Sequence, residues 1–134
     1  MSDTQTIGHG TFIVIEGTDK SHRDVQVAKL VERLEQDNYE VLLFDFPRYK
    51  EPSAFFVNEY LGGRYGSSKE VGPYTGSLLY ALDRYQAAPT IRDALASGKV
   101  VIASGFTGSS MAKQGVAFMC FDKLTHEPCH VDRK

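Results

Sequence analysis

The stretch Glu16-Gly17-Thr18-Asp19-Lys20-Ser21-His22-Arg23-Asp24-Val25 joins an apolar run to an amphipathic one. That is the setting of a phosphate-binding loop, whose pattern is Gly-x-x-x-x-Gly-Lys-Ser/Thr. The glycines let backbone N–H groups approach the phosphates, and the N-terminus of the helix that follows attracts them. Here Gly17 stands at the first glycine, but His22 stands at the second, Arg23 at the lysine and Asp24 at the hydroxyl residue. Two readings are open on these residues alone. One is a plain strand-to-helix turn in which Asp24 favours the helix start. The other is an altered cradle running from Gly17 to Asp24, where Lys20 or Arg23 supplies the cation and Asp24 a hard oxygen for magnesium.

Other chemistry-bearing groups are weaker signals. Cys120, His126, Cys129 and His130 are four metal-ligand types, but their spacing matches none of the usual zinc patterns. Asp83 and Arg84 are adjacent and read as a local ion pair on a solvated helix face. Phe55, Phe56, Tyr60 and Tyr65 read as packing against a sheet.

The elements that must position these groups follow from apolar periodicity. Phe12-Ile13-Val14-Ile15, Val41-Leu42-Leu43-Phe44 and Val100-Val101-Ile102-Ala103 are unbroken β-rich runs, suited to strands buried on both faces of a parallel sheet. They predict strands near 11–16, 40–45 and 99–103, with the first central. Val27, Leu30, Val31 and Leu34 recur at helical spacing and predict a helix over 25–36. A short helix is expected over 52–61, a loop over 64–73, and a long helix over 74–97. Leu78, Leu79, Leu82, Ile91 and Leu95 are its core candidates, and Pro89 is expected to break or kink it. Residues 116–134 have weak periodicity and read as an uncertain tail.

With 134 residues the chain has the length of one domain, 1–134, and its net charge of −2 gives no electrostatic footprint for nucleic acid. No apolar run approaches a membrane span, and the first residues have no signal-peptide pattern. Two cysteines build no disulfide framework, which predicts a reduced, cytoplasmic protein.

Several blocks, in order, carry a resemblance. They are residues 12–19, Asp45-Phe46-Pro47-Arg48-Tyr49, Tyr65-Gly66, Glu70-Val71-Gly72-Pro73-Tyr74-Thr75, Leu78 to Tyr85, Gly98 to Ile102, and Ser109-Ser110-Met111-Ala112-Lys113-Gln114-Gly115. Together, over about residues 10–115, the chain resembles the thymidylate kinases, dTMP kinases of the nucleoside-monophosphate kinase group. The resemblance implies an α/β fold, a three-layer P-loop NTPase-like parallel sheet with helices on both faces. It implies transfer of the ATP γ-phosphoryl group to dTMP, giving dTDP, with magnesium. Asp19 then corresponds to the loop acid that touches the sugar, and Arg48 to the arginine that holds the acceptor phosphate. Tyr80 corresponds to the aromatic on thymine and Arg84 to the arginine reaching the base, while Ser110 and Gln114 fall where the family contacts thymidine. Arg48 and Arg23 are the catalytic candidates, and Asp24 is the metal candidate.

The departures from the family pattern fall on the phosphate chemistry. Ser104 and Gly105 stand where the family has an Asp-Arg pair after the third strand. The chain is also expected to lack the lid over ATP and the C-terminal strands. Two functions follow: a dTMP kinase, or a catalytically impaired remnant that binds nucleotide or dimerises. Open sheet edges leave room for a homodimer.

Overall fold

Three short strands, β1 (Thr11–Ile15), β2 (Val41–Asp45) and β3 (Val100–Ser104), grow from the three apolar runs and pair in parallel. The computed structural model describes residues 9–17 and 19–119. The strand order is β1-β3-β2, which places β3, not β1, at the centre. All five residues of β3 are buried, whereas Phe12 and Val14 of β1 stay partly exposed, so the most buried run takes the position with neighbours on both edges.

Helix α1 (Lys20–Gln36) covers one face of the sheet, packing Val27 and half-buried Leu30, Val31 and Leu34 against Val100 and Ile102. Helix α3 (Ser68–Ala96) covers the other, setting Ala87, Ile91 and Ala94 against Phe44, Val101 and Ala103. The expected three layers are therefore present. Between them, a 3₁₀ turn at Pro52–Ala54 leads into α2 (Phe55–Leu61), and α4 (Thr107–Met119) follows β3.

Two helices start earlier than periodicity predicts, each because a polar side chain caps it. The α1 cap is Asp19 rather than Asp24; its carboxylate accepts from the backbone N–H groups of Ser21 and His22. In α3, Ser67 and Glu70 form a reciprocal capping box, so residues 68–71 are helical where a loop is expected. The helix is then interrupted at Gly72 (φ 76°, ψ 161°), a backbone region open to glycine, and restarts with Pro73. Of its expected core residues, Leu79 and Ile91 are buried and Leu95 is half-buried, but Leu78 (59% exposed) and Leu82 (40%) face outward. The aromatic cluster also differs. Phe55, Phe56 and Tyr65 are exposed, because α2 lies against α3 and the 3₁₀ turn and turns Val57 inward.

Two polar ties fix the parts that surround the carboxyl end of the sheet. Asp83, fully buried on α3, accepts from Arg48 through the backbone N–H (2.7 Å) and Nε (2.9 Å), and from the Ser53 hydroxyl (2.6 Å). It belongs to the buried face of the helix and pairs with Arg48, not with Arg84 on a solvated face. Glu16, just past β1, reaches the start of α4, where its carboxylate accepts from the N–H groups of Phe106 (3.1 Å), Gly108 (2.8 Å) and Ser109 (3.0 Å) and from the Ser109 hydroxyl. Burial pulls the Glu16 pKa upward, but the Ser109 hydroxyl and the three N–H groups more than offset this and hold it below the usual carboxylate value.

The two ties predict different stability losses. Asp83→Ala leaves a guanidinium without its buried partner and should cost about 3–5 kcal/mol in urea unfolding, part of it recovered in the double variant with Arg48→Met. A loss below about 1 kcal/mol would contradict the tie. Glu16 has a lowered folded pKa, so its stabilisation is complete above its unfolded value of about 4.3 and disappears as pH falls through the folded one. Glu16→Gln should therefore cost about 1 kcal/mol at neutral pH, the size of a lost cap. It should also flatten the acid limb of the stability–pH curve, and an acid limb identical to the parent's would contradict the assignment.

Candidate functional site

Parallel sheets place ligands beyond the carboxyl ends of their strands, and an open pocket lies there. Phe46 and Pro47 after β2 form one side, and Gly105 and Phe106 after β3 form the floor. Tyr80 and Arg84 descend from α3; Ser109, Ser110, Lys113 and Gln114 face them from α4; Arg23 enters from α1. Gly76 permits the close approach of the two helices, since a Cβ there would stand 3.0 Å from the Gln114 side-chain oxygen.

The pocket is aromatic and cationic. Phe46, Tyr80 and Phe106 give it ring surfaces, and Arg23, Arg84 and Lys113 give it three cations with no carboxylate on its wall among the described residues. The Arg84 guanidinium lies 5.8 Å from the Phe106 ring centroid. Burial pulls its pKa down, and the charges of Asp83 and Glu16 oppose that pull; a guanidinium nevertheless stays protonated. Burial pushes the Tyr80 phenol up, with smaller contributions from Tyr49 and Tyr60, so its ring is a neutral face.

The pocket thus gathers Arg23, Tyr80, Arg84, Ser110 and Gln114 from the candidates, though they span more than ninety positions of sequence. The other candidates sit elsewhere. Asp19 is engaged with Ser21 and His22, including His22 Nδ1 at 2.8 Å, and the Ser21 hydroxyl is the largest of several contacts that lower its pKa. Lys20 donates to Asp45 (2.7 Å) and pairs with Asp24 (3.2 Å); the Asp45 contact chiefly raises its pKa, against the opposing effect of burial. Arg48 lines a separate hollow with Tyr49, Lys50 and Glu51. Gly17 gives its carbonyl oxygen to Arg23 Nη1 at 2.9 Å. Thr18 and the Cys120, His126, Cys129 and His130 set lie outside the described residues. Among those described, no three His, Cys, Asp or Glu side chains converge as a metal site.

Four functional groups escaped the sequence reading. Asp83 was detectable, for it falls in register with the buried Leu79, Ala87 and Ile91 of its helix. Glu16 was not, because its partners are some ninety residues away. Phe106 and Lys113 carry no local signal either; only the packing of α4 beside α3 brings them to the pocket.

Comparisons with known proteins identify a family. The family model described as thymidylate kinase matches residues 15–126. A thymidylate kinase of Halothermothrix orenii is 34% identical over 108 residues, covering 79% of this chain and 50% of that protein. One from Pelotomaculum thermopropionicum is 39% identical over 112 residues, covering 79% and 48%. A solved thymidylate kinase structure from Candida albicans superimposes with a TM-score of 0.62 at 27% identity, over 78% of this chain and 43% of that one. The chain spans about half the length of these relatives. Since the family model covers most of the chain, residues 15–126, the chain belongs to the thymidylate kinase family.

Proposed function

We propose that the pocket binds dTMP and that the chain serves ATP-dependent transfer of a phosphoryl group to it, giving dTDP, in the cytoplasm. The observation that supports this most is the meeting of Tyr80, Arg84, Ser110 and Gln114 around one open pocket. Thymine stacks on the neutral Tyr80 ring, the fit of an aromatic face to a nucleobase. Arg84 and the Gln114 amide face the polar edge of the base, and the Ser110 hydroxyl completes the nucleoside contacts. Arg48 lines the adjoining hollow, which shares Pro47 with the pocket, and would reach the acceptor phosphate from there through Nη1, which has no acceptor among the described residues, while Nε and Nη2 are fixed by Asp83 and Ser53.

The donor ATP would meet the stretch from Gly17 to Asp24. Its carboxylates are the capping Asp19 and Asp24, the metal candidate, which pairs with Lys20 at 3.2 Å, and no step is assigned to a metal there. A homodimer is part of the proposal, since Leu78, Leu82 and Tyr85 form an exposed apolar stripe along α3.

The test is titration calorimetry with dTMP beside an assay of dTDP formation from dTMP and magnesium-ATP. Tyr80→Ala should weaken dTMP binding about tenfold, the loss expected for one base–aromatic stack. A parent chain that binds no dTMP would remove this reading. A chain that binds dTMP without forming dTDP would confine it to nucleotide binding, the impaired alternative.

A further inference from the structure

Arg23 is the most deeply buried cation of the described chain, only 7% exposed, and no described carboxylate lies within ion-pair distance of it. Its described hydrogen-bond acceptors are neutral: Nε donates to the Ser104 hydroxyl at 3.0 Å and Nη1 to the Gly17 carbonyl at 2.9 Å. Buried charges are ordinarily paired, because desolvation is costly without a counter-ion. Arg48 shows the ordinary solution, with Asp83 as its partner. The Arg23 guanidinium instead lines the pocket, and Nη2, which no described acceptor takes, is not sealed in the interior.

Room for this group comes from Gly105. A Cβ at that position would stand 3.2 Å from the Arg23 guanidinium carbon, and Gly105 itself has φ +65°. Ser104 supplies the acceptor that fixes Nε, and the missing side chain at 105 leaves the guanidinium open to the pocket floor.

We propose that Arg23 is the anion anchor of this pocket, a pre-fixed guanidinium whose counter-ion is the phosphate monoester of the bound nucleotide. The inference rests on the nucleotide reading of the pocket and adds to it a phosphate contact delivered from α1. The two contacts that hold Nε and Nη1 orient the fork before ligand arrives, and the remaining N–H groups match phosphate oxygens. Residues 23, 104 and 105 then act as one unit: a cation, its positioning hydroxyl and its clearance.

The experiment compares dTMP with thymidine, by calorimetry in low-salt buffer free of phosphate, on the parent chain and on Arg23→Gln and Arg23→Lys. The parent should prefer dTMP at least tenfold. Arg23→Gln should lose most of that preference while binding thymidine within about threefold of the parent, and Arg23→Lys should fall between, having the charge without the fork. A preference unchanged in Arg23→Gln overturns the anchor and leaves the pocket reading intact. Absence of both ligands from the parent overturns the pocket reading and the anchor with it. Should the variants fail to fold, ¹⁵N spectra of the parent decide: the Arg23 Nε–H signal, identified by its contact with Ser104, should shift with dTMP and with inorganic phosphate but not with thymidine. A signal that dTMP leaves unmoved overturns the anchor.

Discussion

The carboxyl end of β3 is the reference point for every group in the pocket. A strand paired on both edges and buried on both faces cannot slide or tilt without breaking its ladders and exposing its apolar side chains. Its last residue, Ser104, is therefore fixed, and the chain that leaves it carries position to its neighbours. Ser104 accepts from Phe46 N–H at 2.9 Å, which brings the segment after β2 alongside, and Gly105 N–H donates to Ile15 at 2.9 Å, which brings in the end of β1. Phe106 then touches both Phe12 and Phe46 with its ring. The site is thus assembled from three strand ends that share one anchored residue, and helices α3 and α4 contribute side chains to a floor already set.

Charge placement around that floor follows from burial. Asp83 and Arg48, deep between α3 and the segment after β2, form a pair whose members would each be costly alone. Lys20, Asp24 and Asp45 are half in water, where such pairs contribute at most about 1 kcal/mol, so they orient the start of α1 more than they stabilise it. Glu16 is intermediate, largely exposed but accepting several short contacts from the N-terminus of α4, where a negative charge also meets the favourable end of the helix dipole. Each carboxylate near the pocket is turned toward a helix end or a cation outside it. That partition leaves Arg23, Arg84 and Lys113 on a wall without acids among the described residues.

How much of this was legible in the sequence depends on the range of the interaction involved. The strands were, since each is a local apolar run, and so was their parallel pairing, since helical periods separate them. Strand order was not: β1 and β3 have similar composition, and which is central is decided by how many faces and edges the rest of the chain covers. Local patterns likewise gave the body of α1, but its start was set by Asp19, a cap two residues past a glycine, in a stretch whose motif suggested a loop. The pocket's Tyr80, Arg84, Ser110 and Gln114 came from the family resemblance, not from spacing. The burial of Asp83 could be read from its register, but its partner Arg48, like the partners of Glu16, lies across the fold, so no window of sequence contains both.

The changes at 23, 104 and 105 look, along the sequence, like three separate losses of phosphate chemistry. In space they are adjacent and mutually fitted. A lysine at 23 would bring a single point charge on a flexible stem, whereas arginine brings a planar fork that can hold a fixed acceptor with one N–H and present others. The fork needs an acceptor where it passes the end of β3, and a hydroxyl at 104 is one that carries no charge. A carboxylate there would form a buried ion pair and neutralise the guanidinium. Any side chain at 105 would meet the guanidinium at 3.2 Å and would have to adopt the left-handed backbone that glycine tolerates. The cation thus keeps its charge uncompensated toward the pocket because the residues beside it are a neutral hydroxyl and no side chain at all.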